Sequence, residues 1–226
     1  LLVSAARTLP ALAGASGVNS AGSRGRGPPR LAAAVALVAL LTFIVHLPAI
    51  YNGWTNWDDS ELLLKDARWH GVSWRNLVWM WTTTRLGHYQ PLTWISYALD
   101  YTLWGVNAAG LHLTNIVLHS IAAALLAALL IRWLQRTGRL DVHGATPAEA
   151  GIIAISAMAW SLHPLRVEAV AWITARRDLL SALLSAWSLW LWLGPPAEGA
   201  PSRGRRIAAT VVGVAAMLAK AQAMVL

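Results

Sequence analysis

The run Asn56-Trp57-Asp58-Asp59 places two carboxylates side by side. One of them can take a proton while the other holds its partner, or the two can bind a divalent cation. Asp58 and Asp59 also fit a solvated loop or a helix N-cap, because Glu61-Leu62-Leu63-Leu64 follows. A second stretch runs His163-Pro164-Leu165-Arg166-Val167-Glu168 and continues to Arg176-Arg177-Asp178. Planar arginine forks suit phosphate, since each donates two parallel hydrogen bonds. The same residues would also serve as an interfacial arginine and tryptophan anchor, with Asp178 capping a helix. Lys220 lies well inside the apolar run that begins at Ile207. An ionisable group at the centre of a bilayer costs about 2.5–3.5 kcal/mol on insertion scales, so it marks a function unless it snorkels to the surface. Finally, His112, Asn115 and His119 fall at i, i+3 and i+7, along one face of a helix. That spacing fits a structural polar stripe packed on neighbouring helices better than a metal site.

The elements that position these residues are read from hydropathy. The chain is 57% hydrophobic and 12% charged, with a mean hydropathy of +0.50, a profile of lipid-facing surface rather than a soluble core. Fourteen Trp against one Phe points the same way, because the indole ring favours the membrane–water interface. The absence of cysteine excludes disulfides and zinc–thiolate sites. The net charge of +8 would suit nucleic acid, but the arginines are split among short loops without a basic face, and no nucleic-acid partner is expected.

A spanning helix needs about 20 largely apolar residues. On that basis the fold class is all-α, a polytopic membrane helix bundle. Its expected spans are 31–50, 111–134, 148–162, 179–193 and 207–226. Residues 1–30 are expected to form a disordered cytoplasmic tail. Residues 51–90 mix six Trp with charged groups and are expected to form short helices lying in the interface. Residues 91–106 are apolar but broken by Ser96, Asp100 and Gly105, which suits a re-entrant or interfacial helix. Bare arginine clusters (Arg24, Arg26, Arg30; Arg132, Arg136, Arg139; Arg203, Arg205, Arg206) alternate along the chain with cations interleaved among acids and His. Placing the bare clusters inside puts Asp58-Asp59, His163–Asp178 and Lys220 together on the extracytoplasmic side. The missing initiator Met and a last apolar run ending at Leu226 suggest a fragment.

The motifs taken in order resemble a known family. They are Trp57-Asp58-Asp59; His88-Tyr89-Gln90-Pro91-Leu92-Thr93-Trp94-Ile95-Ser96; Leu99-Asp100; Leu103-Trp104-Gly105; Gly110-Leu111-His112-Leu113-Thr114-Asn115 with His119; His163-Pro164-Leu165-Arg166-Val167-Glu168-Ala169-Val170-Ala171-Trp172; Arg177-Asp178; and Lys220. The series resembles the transmembrane and tetratricopeptide-repeat protein family, related to protein O-mannosyltransferases of the GT-C fold class, over about residues 35–226. Three positions depart from the family pattern: Gln90 stands where many relatives have His, Arg177 where Lys is usual, and Ala221 where Pro usually follows the Lys.

The resemblance implies a membrane glycosyltransferase. Its donor would be a sugar, expected to be mannose, linked to a polyprenyl or dolichyl phosphate, and its acceptor a Ser/Thr hydroxyl of an extracytoplasmic protein. It further implies downstream spans and a repeat domain beyond this sequence, without which the segment is not expected to be active. The membrane would be a bacterial inner membrane, or that of the endoplasmic reticulum in a eukaryote. Carried over, Asp58 would be the base and Asp59 its support, or a ligand if a divalent metal takes part. Arg176, Arg177 and Lys220 would hold the donor phosphate, with His88, His163, Arg166, Glu168 and Asp178 lining the pocket. Two other classes use the same residues differently: a transporter or channel, and a non-catalytic membrane anchor for a repeat scaffold.

Overall fold

The computed structural model describes residues 29–141 and 144–225, and every helix or strand element among them is helical. The expected disordered tail therefore lies, but for its last two residues, outside the described residues. Helix α1 (Pro29–His46) continues through a 3-10 turn (Leu47–Tyr51). Together Arg30–Tyr51 supply 22 residues that contain an 18-residue stretch of mean hydropathy 2.4, enough to cross a bilayer. Three elements of the first loop follow: a π-helical turn (Ser60–Leu64), a 3-10 turn (Ala67–Trp69) and helix α2 (Trp74–Thr82). Helix α3 (Pro91–Trp104) leads into α4 (Ala108–Arg136), 29 residues long, which contains an 18-residue stretch of mean hydropathy 2.1 and is again of spanning type. Helices α5 (Pro147–Ser161) and α6 (Leu165–Ala171) meet at a 66° bend and reach spanning length only if the pair counts as one broken span. Helices α7 (Arg176–Leu193) and α8 (Arg203–Ala219) complete the set.

By length and composition, two of the described helices can cross a membrane, or three with the bent pair, against the five expected spans. The physical reason lies in α7 and α8. The 18 residues of α7 open with Arg176-Arg177-Asp178, and the 17 of α8 open with three arginines. At 1.5 Å per residue, 17 residues reach about 25 Å, short of a core about 30 Å thick.

The expected helix over 207–226, with Lys220 inside it, needs correction. α8 ends at Ala219, and Lys220 adopts an extended conformation (φ −154°, ψ 124°) before a 3-10 turn at Ala221–Val225. The hydroxyl of Thr93, in the first turn of α3, donates to Ala219 O at 3.1 Å. That bond occupies a carbonyl that a longer helix would have used itself.

Local signals explain where helices start. Thr146 and Glu149 form a reciprocal capping box on α5, with Pro147 at its first position. Thr146 Oγ1 accepts from Glu149 N at 3.2 Å, and Glu149 Oε2 accepts from Thr146 N at 2.7 Å. Thr146→Ala is therefore expected to cost about 1 kcal/mol, read as a lowered unfolding midpoint in detergent. Asn107 and Ser202 cap α4 and α8 by their side-chain oxygens alone, which accept from Ala109 N and Arg205 N.

Of the three packing regions that result, two set the membrane helices and the first loop in place. Helices α1, α4 and α5 meet through Ala34, Val38, Ala123, Ala127, Ile153, Ala154 and Ala157. Such small side chains let backbones approach closely and leave dispersion to hold the helices, since lipid offers no hydrophobic drive between them. The second region packs the first-loop elements on α3 through Leu62, Leu63, Trp69, Met80, Trp94 and Tyr97, reaching Leu111 and Ile173. Gly110 is required there, because a Cβ would overlap the Trp104 side chain. Helices α7 and α8 run antiparallel, joined by Ser188 Oγ donating to Ala209 O at 2.8 Å and, at the opposite end, by the Lys220–Asp178 ion pair.

Candidate active site

The two carboxylates of the first loop are placed in different surroundings. Asp59 is fully buried, and its oxygens accept from two backbone amides: Thr55 N at 2.9 Å and Thr174 N at 3.1 Å. It thereby clamps the first loop onto the segment just ahead of α7, 115 residues away. Asp58 is half-buried and makes no hydrogen bond or ion pair with the described residues, so its carboxylate is free to act on something else. The chain winds directly from this pair into the π-helical turn, a local geometry often found at functional sites.

His88 sits on a tight turn closed by Arg85 N to His88 O (3.1 Å) and His88 N to Arg85 O (2.9 Å). The central residues Leu86 and Gly87 both have positive φ, 48° and 78°. Arg85 also donates from Nη2 to Glu61 O at 3.1 Å, holding this turn beside the segment that bears Asp58 and Asp59. Partial desolvation of the His88 ring, and then the charges of Arg177 and Lys220, lower its pKa, against the opposing pull of Asp58. Three expected site residues thus lie within electrostatic reach of His88: Asp58, Arg177 and Lys220. Lys220 Nζ pairs with Asp178 at the start of α7. Arg177 is half-buried, and its Nε is shielded from solvent without a partner.

Arg176 departs from the expectation. It is fully buried, and its guanidinium is committed within the protein. Nη1 pairs with Asp100 Oδ2 at 2.6 Å, Nε donates to Asn115 Oδ1 at 2.7 Å, and Nη2 donates to Leu111 O at 2.8 Å. The plane lies 4.5 Å over the Tyr97 ring, whose hydroxyl donates to Ile173 O at 2.9 Å. The side chain is a junction of α3, α4 and α7, with no donor left facing solvent. Asp100, read from sequence only as a polar break in an apolar run, is its counter-ion. The signal was present in Asp100 itself, since an acid on an apolar helix calls for a partner.

The remaining expected residues divide in the same way. His163, on the bend between α5 and α6, is exposed and accepts from Leu165 N at 3.3 Å through Nδ1. Arg166 lies 5.0 Å over the Trp160 ring, and Glu168 is exposed. Among the described residues, none of these three is hydrogen-bonded to or paired with Asp58, Arg177 or Lys220. The stripe on α4 is internal throughout. His112 Nε2 lies 3.3 Å from Gly53 O and His119 Nε2 2.8 Å from Ser161 O, while Asn115 Nδ2 approaches Trp172 O at 3.3 Å. Among the described residues no group of three or more His, Asp or Glu is placed to hold a metal ion. The sequence reading overlooked an aromatic contact beside the site: Trp57, 71% exposed, lies 5.9 Å from Trp172.

The chemistry available is acid–base at Asp58 and anion binding at Arg177, Lys220 and His88, on adjoining segments. No family model matches the chain, and no solved structure matches it. Curated proteins do. Over 164 residues the chain is 31% identical to Protein O-mannosyl-transferase TMTC4 of Mus musculus, a match covering 66% of this chain and 21% of that protein. It is 28% identical over 159 residues to Protein O-mannosyl-transferase Tmtc1 of Drosophila melanogaster, covering 67% and 17% respectively. The same identity holds over 190 residues against Protein O-mannosyl-transferase Tmtc2 of Drosophila melanogaster, covering 79% and 19%. The chain spans about a fifth of the length of the curated relatives it matches.

Proposed function

The chain is a relative of the TMTC protein O-mannosyl-transferases, and we propose that it forms the donor-binding and acid–base part of a membrane glycosyltransferase. The observation that carries this reading is that the unpartnered carboxylate of Asp58 and the cations Arg177 and Lys220 all act electrostatically on one ring, that of His88. The donor is a mannosyl phosphate linked to a polyprenyl or dolichyl chain, and the acceptor is a Ser/Thr hydroxyl of an extracytoplasmic protein. Asp58 takes the hydroxyl proton as the oxygen attacks the anomeric carbon. The new C–O bond forms, and the bond from that carbon to the phosphate oxygen breaks. Its electron pair stays on the phosphate, whose charge goes from −1 to −2. Arg177 and Lys220 stabilise that developing charge. Asp59 contributes by fixing the loop that carries Asp58. A metal has no step in this scheme.

The topology belonging to this reading has five passes in a GT-C-like bundle, with α7 and α8 as the fourth and fifth. The first loop then faces the extracytoplasmic side. Placing the charged first turn of α7 and the break at Lys220 at the outer interface accounts for both helices being short. The test is mannose transfer by the purified full-length protein in lipid. Transfer to a Ser/Thr peptide from polyprenyl-phosphate mannose, and none from a nucleotide-linked mannose, is the expected result. Flux of a small solute without transfer would replace this reading by that of a transporter.

A further inference from the structure

We propose that His88 is the third ligand of the donor phosphate, binding it as the imidazolium and handing its proton to the leaving oxygen. This rests on the donor-phosphate reading of Arg177 and Lys220 given above.

The position of His88 is over-determined by bonds on both sides. Towards the acid–base side, the Arg85–His88 turn is tied by Arg85 Nη2 to Glu61 O, two residues after Asp59. Arg85 Nε lies 3.8 Å from Asp66 Oδ2, a second hold on the same loop. Towards the phosphate side, the chain passes from His88 through buried Gln90 into α3, where Thr93 is bonded to Ala219 O, next to Lys220. Lys220 in turn pairs with Asp178, the neighbour of Arg177. Leu86 holds a positive φ of 48° within the turn, a conformation that leucine rarely adopts. Strain of this kind persists where the surroundings fix it, and here it lies in the turn that presents the exposed His88 ring.

The chemistry has a vacancy that fits this ring. Of the two cations, Lys220 is already partly neutralised by Asp178, while Arg177 offers an Nε without a partner. As the bond to the sugar breaks, the phosphate gains one negative charge. A protonated imidazole supplies a charge there and can place its proton on the leaving oxygen. Asp58 then holds the proton taken from the acceptor, His88 has lost one, and both are restored through solvent, to which each residue is open.

The charges that act on His88 are Asp58 from the first loop, Arg177 from α7, and Lys220; Arg85 of its own turn is held to Glu61 O and lies near Asp66, and Lys220 is paired with Asp178. Without ligand, desolvation and then Arg177 and Lys220 hold the His88 pKa below its usual value, with Asp58 opposing. A phosphate anion bound on those cations cancels their effect, so its binding takes up a proton. Affinity should therefore fall as pH rises through the His88 pKa of the bound state.

The experiment measures binding of a polyprenyl methyl phosphate to the full-length protein in nanodiscs, from pH 5 to 8. This probe is a diester whose own charge does not change over that range, and the assay needs no turnover. Wild type should bind with affinity falling as pH rises. His88→Gln should bind about ten- to a hundredfold more weakly at the acidic end, with no pH slope. His88→Arg, permanently charged, should bind tightly at every pH, which separates loss of charge from loss of fold. Wild-type affinity and slope in His88→Gln would overturn the proposal and leave the phosphate site standing, and equal loss in both variants would reduce His88 to a structural part. Failure of wild type to bind the diester at any pH would instead remove the donor-phosphate reading itself.

Discussion

Asp58→Asn in the full-length protein is expected to lower mannose transfer by about 10²- to 10⁴-fold, the range a positioned general base contributes. The substitution is close to isosteric, and the Asp58 carboxylate makes no hydrogen bond or ion pair with the described residues. Its loss should therefore leave the unfolding midpoint unchanged, and donor binding with it. Asp59→Asn provides the contrast. Both Asp59 oxygens accept from backbone amides, Thr55 N and Thr174 N. An amide group there turns one acceptor into a donor that faces an N–H, leaving buried groups unsatisfied. That variant should lose activity together with stability. The two carboxylates are adjacent in sequence, so this separation of effects is a sharp check on their roles. Full activity in Asp58→Asn would end the assignment of the base.

The second large effect is on stability. Arg176→Met is expected to cost about 3–5 kcal/mol, because it strands a buried carboxylate at Asp100 without its counter-ion. The same change leaves Asn115 Oδ1 and Leu111 O without their donor. Asp100→Leu combined with Arg176→Met should recover part of the loss, since removing both charges abolishes the unpaired ion even though the packing changes. Thermal unfolding in detergent, read as a double-mutant cycle, measures the coupling. If Arg176→Met were as stable as wild type and failed only in donor binding, Arg176 would be a phosphate ligand after all.

These two cases show what the residues could and could not announce. Hydropathy and Trp content mark a membrane protein, and capping residues mark helix starts. The expected third span over 148–162 lies within a residue of α5, because Thr146, Pro147 and Glu149 are local signals and Pro164 is a local stop. The ordered motifs point to the relatives that the comparisons found. By contrast, nothing in Arg176-Arg177 says which arginine faces the interior. They are neighbours on one helix turn, about 100° apart around its axis, so they point in different directions. Which one faces the interior depends on how α7 is rotated against α3 and α4. Asp100 and Asn115 settle that rotation from 76 and 61 residues away.

Lys220 was legible as a costly charge in an apolar run, yet the break beneath it was not. The break depends on a hydroxyl at Thr93, 126 residues earlier, reaching the last carbonyl of α8. The sequence by itself thus determined helix content, the membrane setting, the local starts of helices and the family. Each of these follows from composition, or from residues within a turn of one another. Only the tertiary structure decided that Asp59 is a clamp, that Asp58 is without a partner among the described residues, and that Arg176 is internal while Arg177 and Lys220 stay partly exposed within reach of His88. Those distinctions turn on partners far apart in the chain, and burial exists only once the helices have packed.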